Sequence, residues 1–292
     1  MTTTHEFDVE GHHLVALYLN PEAAGEPIVL LHGFTASARL FLWPEVAFLR
    51  EHGPCYALSL PGHYPATFPP DFDARLLTAE TVARVLTTAI RQLLGDQQRF
   101  TLIGVSLGAC TALAIAAHCP EMVSRLICVS GAAEGKKVRG SVRVGLWLAR
   151  QGAFGRAIDK GTFKILQSPK RYPNLWRRCW GNPRAFDAWL GREAFLEGNL
   201  ANFVHLDLDA MVAWHRAFYN LDLTPVLPRI TAPALVLSGD SDPLAPPEQS
   251  RLIAEKVRNA ELVMFEEAGH AIPLECPAEF RRVVHEWLRK TA

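Results

Sequence analysis

The chain has 292 residues, of which 49% are hydrophobic and 21% are charged. This length and composition are typical of one globular unit whose core can carry a modest insertion. Thirty basic residues balance thirty acidic ones, so the overall charge gives no reason to expect nucleic-acid binding.

The N-terminal ten residues are polar and lack the apolar stretch of a secretory signal. The longest helical apolar run, residues 109–117, is far too short to span a bilayer. The six cysteines are scattered without CxxC spacing, as is typical of reduced, structural thiols. Together these features predict a cytoplasmic protein.

Strand-like and helix-like patterns alternate along most of the chain. Residues 6–9 and 14–19 alternate in polarity and predict a β-hairpin. Short apolar runs predict buried strands at residues 28–31, 56–60, 100–105, 125–130, 233–238 and 261–265. Helical patterns cover residues 41–51, 79–94, 108–118 and 280–290. This alternation predicts an α/β fold with a mostly parallel, doubly wound sheet.

The alternation stops between residues 134 and 223. This segment has no clear buried strand, holds five of the seven tryptophans, and shows helical patterns interrupted by Gly and Pro. Because it falls between two predicted core strands, we expect it to be an inserted helical cap. The predicted core then comprises residues 1–133 and 224–292.

The sequence Gly104-Val105-Ser106-Leu107-Gly108 matches G-x-S-x-G. The pentapeptide alone is weak, but here it follows a predicted strand and precedes a predicted helix. A serine on such a sharp turn projects its hydroxyl from the carboxyl end of the strand. Ser106 is therefore the candidate nucleophile, against the alternative of a small-residue turn without chemistry.

With this element, the chain resembles the α/β-hydrolase family, esterases and lipases included. The resemblance implies that His32-Gly33-Phe34 forms the HG-x element, in which the backbone N–H groups of Phe34 and Leu107 make an oxyanion hole and His32 is structural. It also implies that Phe34 and Leu107 contact the substrate.

The same resemblance implies the other two catalytic residues. In Gly239-Asp240-Ser241-Asp242-Pro243, the family pattern selects Asp242 as the acid, with Asp240 and Glu134 as alternatives. His270 follows the last predicted strand, where a histidine can reach the serine. The order Ser106, Asp242, His270 is the one expected for this fold.

These residues predict a serine hydrolase that cleaves a small-molecule ester, lactone or thioester with an apolar part, through an acyl-enzyme. Two alternatives stay open: the same triad used for C–C bond hydrolysis, acyl transfer or lyase chemistry, and a non-catalytic ligand receptor. Neither a metal-binding motif nor a phosphate-binding loop is present, so no cofactor is predicted.

Positive charge is concentrated in the first half of the predicted cap. Residues 134–180 contain twelve Lys or Arg and two acidic residues. One interpretation is a cationic lid that meets an anionic membrane surface or steers an anionic substrate. The favoured interpretation is a solvated helical face whose apolar side packs over the core. The cap aromatics are expected mainly to bury one another, with some lining the substrate pocket.

Overall fold

The computed structural model describes residues 2–291 and contains one mostly parallel sheet with helices on both faces. In that range the strands are β1 (Thr3–Val9), β2 (His12–Tyr18), β3 (Ile28–Leu31), β4 (Cys55–Leu58), β5 (Phe100–Val105), β6 (Val123–Val129), β7 (Ala234–Gly239) and β8 (Ala260–Phe265). Their order across the sheet is β1-β2-β4-β3-β5-β6-β7-β8. Strand β2 pairs antiparallel with both β1 and β4, and every later neighbour is parallel.

Helices connect the strands and fill the segment between β6 and β7. They are α1 (Ala79–Leu94), α2 (Leu107–His118), α3 (Gly140–Leu148), α4 (Gly152–Leu166), α5 (Tyr172–Arg177), α6 (Pro183–Ala188), α7 (Arg192–Phe203), α8 (Leu208–Tyr219), α9 (Pro247–Lys256), α10 (Ile272–Glu275) and α11 (Pro277–Lys290). Short 3-10 turns supplement them. Within residues 2–291, no helix combines the length and the apolar composition needed to cross a bilayer.

The sheet core follows from the central strands being apolar on both faces. All four residues of β3 and all six of β7 are buried. One face packs against α1 and α2, and the other against α11 and the 3-10 turns after β3. Helix α2 is buried along eleven of its twelve residues and is rich in alanine, which lets it lie close to the sheet. This packing fixes the strand ends from which the candidate site residues project.

The predicted α/β fold is confirmed, and most predicted elements are present with small shifts at their ends. Residues 41–51 differ: they form parts of two 3-10 helices, Ala38–Leu42 and Pro44–Glu51, instead of an α-helix. Pro44 separates them because it lacks the N–H that a continuous helix would need. Helices α9 and α10 were not predicted.

Six α-helices, α3 to α8, lie between β6 and β7 in the chain. We propose that residues 134–223, named the cap below, are an insertion over the carboxyl ends of the strands. An aromatic cluster of the cap supports this proposal, because Trp180, Phe186 and Phe195 pack with Ala271 and Leu274 of the loop and helix that follow β8. In the basic half of the cap, residues 134–180, only some apolar side chains pack against the core. Leu146 and Phe163 are buried, whereas other apolar side chains are exposed.

Candidate active site

Ser106 occupies a strained turn between β5 and α2. Its φ of 55° and ψ of −117° lie outside the regions that a residue with a side chain ordinarily occupies. Its backbone N–H donates to Val129 O at 2.8 Å, which ties the turn to the neighbouring strand. The turn therefore holds the serine side chain at the carboxyl edge of the sheet.

Glycine is required on both sides of this turn by close backbone contacts. A Cβ on Gly104 would lie 2.2 Å from Gly108 O, and a Cβ on Gly108 would lie 2.2 Å from Leu31 O. Neither neighbour is a flexible side chain, so no rotamer change can relieve the overlap. The G-x-S-x-G pattern is thus explained by packing of the strand–turn–helix unit.

Three side chains that are distant in sequence form one hydrogen-bonded chain. His270 Nε2 lies 2.8 Å from Ser106 Oγ, and His270 Nδ1 lies 2.8 Å from Asp242 Oδ2. Asp242 Oδ1 accepts from the N–H groups of Leu244 and Ala245 at 2.8 and 2.9 Å. Because the Asp242 side chain is fully buried, its remaining oxygen is oriented toward the imidazole. The arrangement allows the hydroxyl to donate to Nε2 while Nδ1–H donates to the carboxylate.

The charges around His270 increase its affinity for a proton. Burial opposes the charged imidazolium, but the Asp242 charge, its hydrogen bond and the Glu275 charge together raise the pKa of His270 above its ordinary value. The imidazole is therefore a stronger base than a free histidine, as is useful for removing a serine proton.

Glu275, at the end of α10, binds the backbone on both sides of His270. Its Oε2 accepts from the N–H groups of Gly269 and Gly181, both at 2.9 Å, and its Oε1 accepts from Ala271 N–H at 3.0 Å. Burial raises the pKa of Glu275, the three backbone hydrogen bonds lower it, and the net direction is upward. One carboxylate thus joins the histidine loop to the cap.

Two further hydrogen bonds fix the backbone of His270 itself. Its N–H donates to Cys179 O of the cap at 2.7 Å, and its carbonyl accepts from Ser130 Oγ at 2.9 Å. Contact is so close here that a Cβ on Gly269 would lie 2.1 Å from Gly181 N. We name this junction of residues 179–181 with residues 269–275 the cap–loop seam.

The N–H groups of Phe34 and Leu107 are free to bind a ligand. Within residues 2–291, neither donates a hydrogen bond to another protein atom. Leu107 is the first residue of α2, whose N-terminal amides carry partial positive charge. Gly33 brings the two turns together, since a Cβ there would lie 3.2 Å from Ser106 Cβ. Such paired donors can receive a negatively charged oxygen.

His32 is buried and hydrogen-bonded to backbone. Its Nε2 accepts from Leu60 N–H at 3.0 Å, so Nδ1 carries the proton and donates to Gly33 O at 2.8 Å. Burial lowers the pKa of His32 to about 4, with the Gly33 bond partly opposing the shift. The residue therefore stays neutral near neutral pH and orders the loop that carries Phe34.

The two alternative acids do not reach His270. Asp240 is exposed and accepts from Ser241 Oγ at 2.9 Å. Glu134 faces Gln249, whose Nε2 lies 3.4 Å from Glu134 Oε2. Of the three acids considered from the sequence, Asp242 is the one that contacts the imidazole.

Two cavities of very different size border Ser106. The larger, of about 900 Å³, extends under α3 and α4 and is lined mainly by apolar side chains, including Phe34 and Trp176. The smaller, of about 50 Å³, lies beside α2 and is lined by Leu107, Cys110 and Phe218 among others. Both also contact His270. Within residues 2–291, no group of three His, Cys, Asp or Glu side chains is placed to hold a metal ion.

One polar pair in the cap borders these cavities. His215 Nδ1 lies 2.8 Å from Asp159 Oδ2, which joins α8 to α4, and both side chains are almost fully buried. The imidazole packs against Phe34, with ring centroids 4.8 Å apart. The cavity wall near the oxyanion-hole candidate thus carries a histidine whose Nε2 has no hydrogen-bond partner within residues 2–291.

Comparison with known proteins shows the family of this chain. The model of the alpha/beta hydrolase family matches residues 28–283. The chain belongs to this family. Among curated relatives, RutD of Pseudomonas syringae pv. syringae (strain B728a), a proposed carbamate hydrolase, is 28% identical over 272 residues, covering 89% of this chain and 93% of that protein.

Other matches include esterases. The pimeloyl-[acyl-carrier protein] methyl ester esterase of Neisseria meningitidis is 26% identical over 253 residues, covering 86% of this chain and 72% of that protein. The crystal structure of the enol-lactonase from Burkholderia xenovorans LB400 superposes with a TM-score of 0.76 at 23% identity, covering 98% of this chain and all of that one. The matched alpha/beta hydrolases are hydrolytic enzymes with differing substrates.

Sequence reasoning missed Glu275, Asp159 and His215. Glu275 follows the histidine by five residues on a four-residue helix, and nothing in its local pattern indicates three backbone partners. Asp159 and His215 are 56 residues apart, so only the packing of α4 on α8 brings them together. Asp159 was detectable in one respect: it is the sole acidic residue on a helix with three basic ones.

Proposed function

We propose that this alpha/beta hydrolase cleaves a carboxylic ester, or a related lactone or thioester, through an acyl-enzyme on Ser106. His270 removes the hydroxyl proton as Ser106 attacks the carbonyl carbon. Asp242 keeps the proton on Nδ1 and stabilises the imidazolium that forms. His270 then protonates the departing alcohol, and water activated by the same imidazole releases the acid.

The Phe34 and Leu107 amides are the proposed oxyanion hole. The tetrahedral intermediate carries a negative oxygen, and donors fixed before the reaction stabilise it without reorganisation, each by about 3–4 kcal/mol in comparable sites. Their freedom from protein acceptors supports this role. The buried His32 supports it indirectly, because its two backbone bonds order the loop that carries Phe34.

The unequal cavities suggest the shape of the substrate. The 900 Å³ cavity has room for a long or bulky apolar group, whereas the 50 Å³ cavity has room for only a few heavy atoms. We therefore propose an ester with one large apolar side and one small side. Phe34 borders both cavities and is the proposed contact with the substrate near the reacting carbon.

The observation that carries this proposal is the continuous hydrogen-bonded chain from Asp242 through His270 to Ser106. A test begins with a fluorophosphonate probe, which should label the wild type and not Ser106→Ala. Labelling of Ser106→Ala at the wild-type rate would overturn the nucleophile assignment. No labelling of either protein would favour a ligand receptor over an enzyme.

The substrate shape needs a second experiment with matched esters. One series holds a methyl alcohol and lengthens the acid, a second holds an acetyl group and lengthens the alcohol, and a third is long on both sides. At least one of the first two series should be hydrolysed much faster than the third. If esters that are long on both sides were hydrolysed as fast as those of the first two series, the proposed role of the small cavity would be contradicted.

A further inference from the structure

Large apolar side chains are exposed on two neighbouring helices of the cap. Within residues 2–291, nine large hydrophobic side chains are exposed, and five of them fall between residues 144 and 165. These five define what we name the α3–α4 face: Val144, Trp147, Phe154, Ile158 and Ile165. Phe154 is the most exposed of them at 78%. Clustering of this kind marks an interaction surface more often than scattered exposure does.

The exposed residues of α4 form a stripe distinct from its buried face. Phe154, Ile158 and Ile165 are separated by four and seven residues, so they lie along one side of the helix. The buried residues Gly155, Asp159 and Phe163 lie on the other side. Packing over the core therefore accounts for one face of α4 and leaves the apolar stripe without a partner.

Positive charge lies beside the exposed apolar side chains of both helices. On α3, Arg143 is one helical turn from Trp147, and on α4, Lys164 lies about 100° around the helix from the stripe. Arg143 and Lys164 have no acidic partner within residues 2–291. The two acidic residues of the surrounding segment do not compensate them, because Asp159 is buried against His215 and Glu134 faces Gln249. The α3–α4 face thus combines apolar side chains with uncompensated cations.

We propose that the α3–α4 face docks on the surface of a lipid bilayer that carries anionic headgroups. Apolar side chains with a rim of Lys and Arg match the two layers of such a surface, since the apolar groups enter the acyl boundary while the cations remain among the phosphates. Each cation near the membrane adds to the attraction toward an anionic leaflet. Charge complementarity therefore selects an anionic membrane as the occupant of this face.

The docking surface adjoins the larger cavity. Leu148, Phe163 and Leu166 line that cavity from α3 and α4. Val144 both lines it and is exposed, so the cavity reaches the α3–α4 face. A docked molecule would hold this opening against the lipid, and an apolar ester could enter without crossing water. Only this delivery step rests on the proposed function.

The docking is tested by flotation of the full chain with vesicles, using Ser106→Ala so that no lipid is consumed. Vesicles of phosphatidylglycerol mixed with phosphatidylcholine should carry the protein at low salt, and the bound fraction should fall severalfold at high salt. Vesicles of phosphatidylcholine alone should bind much less. Equal binding to both vesicle types, or none to the anionic vesicles at low salt, would overturn the proposal.

Two sets of variants locate the contact. The triple variant Phe154→Ser, Ile158→Ser, Ile165→Ser should lower the bound fraction at least tenfold. The double variant Arg143→Glu, Lys164→Glu should do the same. Leu76→Ser with Leu190→Ser removes exposed apolar side chains elsewhere. The double variant Arg251→Glu, Arg258→Glu makes the same charge change at two exposed residues outside the cap. Both controls should bind like the parent.

The results also distinguish membrane docking from a protein–protein interface and from the proposed hydrolysis. If the triple variant instead dissociates a dimer in sedimentation and the parent ignores vesicles, the face is a protein interface and membrane docking is wrong. If the variants abolish docking in the Ser106→Ala chain, and the same substitutions in the chain that keeps Ser106 leave hydrolysis of a water-soluble ester intact, the proposal is supported. Failure of Ser106 labelling would remove the proposed hydrolysis and leave the vesicle result unaffected.

Discussion

The role of Glu275 can be tested by the substitution Glu275→Gln, which keeps the size of the side chain and removes its charge. The carboxylate accepts three backbone N–H groups, at 2.9, 2.9 and 3.0 Å. Glutamine has one acceptor oxygen, so at least one N–H must face an amide NH₂. A hydrogen bond to a charged group is worth about 1.5–3 kcal/mol, and we expect the free energy of unfolding to fall by about 2 kcal/mol.

The same substitution should change the pH profile of activity. The Glu275 charge contributes to raising the pKa of His270, and catalysis needs the neutral imidazole. Removing that charge lowers the pKa of His270, so the acidic limb of kcat/KM should move to lower pH. A merely structural contact would reduce activity without moving this limb. Hydrolysis of a water-soluble ester across the acid and neutral range measures the shift, and urea unfolding measures the stability.

Glu279→Gln is the matched control, because it removes one charge from an exposed site on α11 whose nearest cationic partner, Arg282, lies 3.7 Å away. This variant should leave the pH limb in place, and its loss of a negative charge from the first turn of α11 should lower the free energy of unfolding by less than about 1 kcal/mol. An unmoved acidic limb in Glu275→Gln, or an equal shift in Glu279→Gln, would refute the proposed effect of the Glu275 charge on His270.

Three further perturbations follow from the geometry. Gly108→Ala places a Cβ against backbone and should destabilise the fold by several kcal/mol or prevent folding, whereas Gly161→Ala, with nothing within 4 Å, should stabilise by about 0.5–1 kcal/mol in thermal unfolding. The pKa of His32 is about 4 in the folded chain, so between about pH 6.5 and pH 4 the unfolded chain binds a proton that the folded chain does not. His32 should therefore lower the free energy of unfolding by about 3 kcal/mol as pH falls across this interval. Urea titrations at several pH values should show a smaller pH dependence of this free energy for His32→Gln. Phe218→Ala enlarges the small cavity and should raise the rate of hydrolysis of esters whose smaller substituent is lengthened. Tyr219 lines neither cavity, so Tyr219→Ala should not have this effect. Identical ester selectivity of the two variants would contradict the proposed pocket.

The fold was predictable because its central strands are apolar throughout and its motifs lie at strand ends. The run at β3 and the alternation that produces β1 and β2 are local signals, so each was visible in a few residues. Helix α9 was not visible, because most of its residues are polar and it packs only a narrow face. The two 3-10 helices after β3 resembled one α-helix because the spacing of their apolar residues is similar to that of an α-helix.

The candidate site was predictable to the extent that a linear motif marks it. Each triad candidate stands in a short glycine- or proline-containing pattern after a strand: Ser106 lies midway between Gly104 and Gly108, Asp242 precedes Pro243, and His270 follows Gly269. Glu275 and the pair of His215 with Asp159 depend on contacts between distant segments, for which the sequence has no periodic signal. The exposure of Phe154 was equally hidden, since helical spacing distinguishes two faces without showing which one meets the core.

The cap–loop seam restricts how the molecule can admit a substrate. Residues 179–181 share hydrogen bonds with the backbone that carries His270, so lifting this edge of the cap would also displace the base. Cap movements that keep the imidazole aligned with Ser106 must therefore occur away from this junction, around α3 and α4. For protein engineers, the seam sets a rule: a chimera that borrows a foreign lid should graft α3 and α4 and retain this junction.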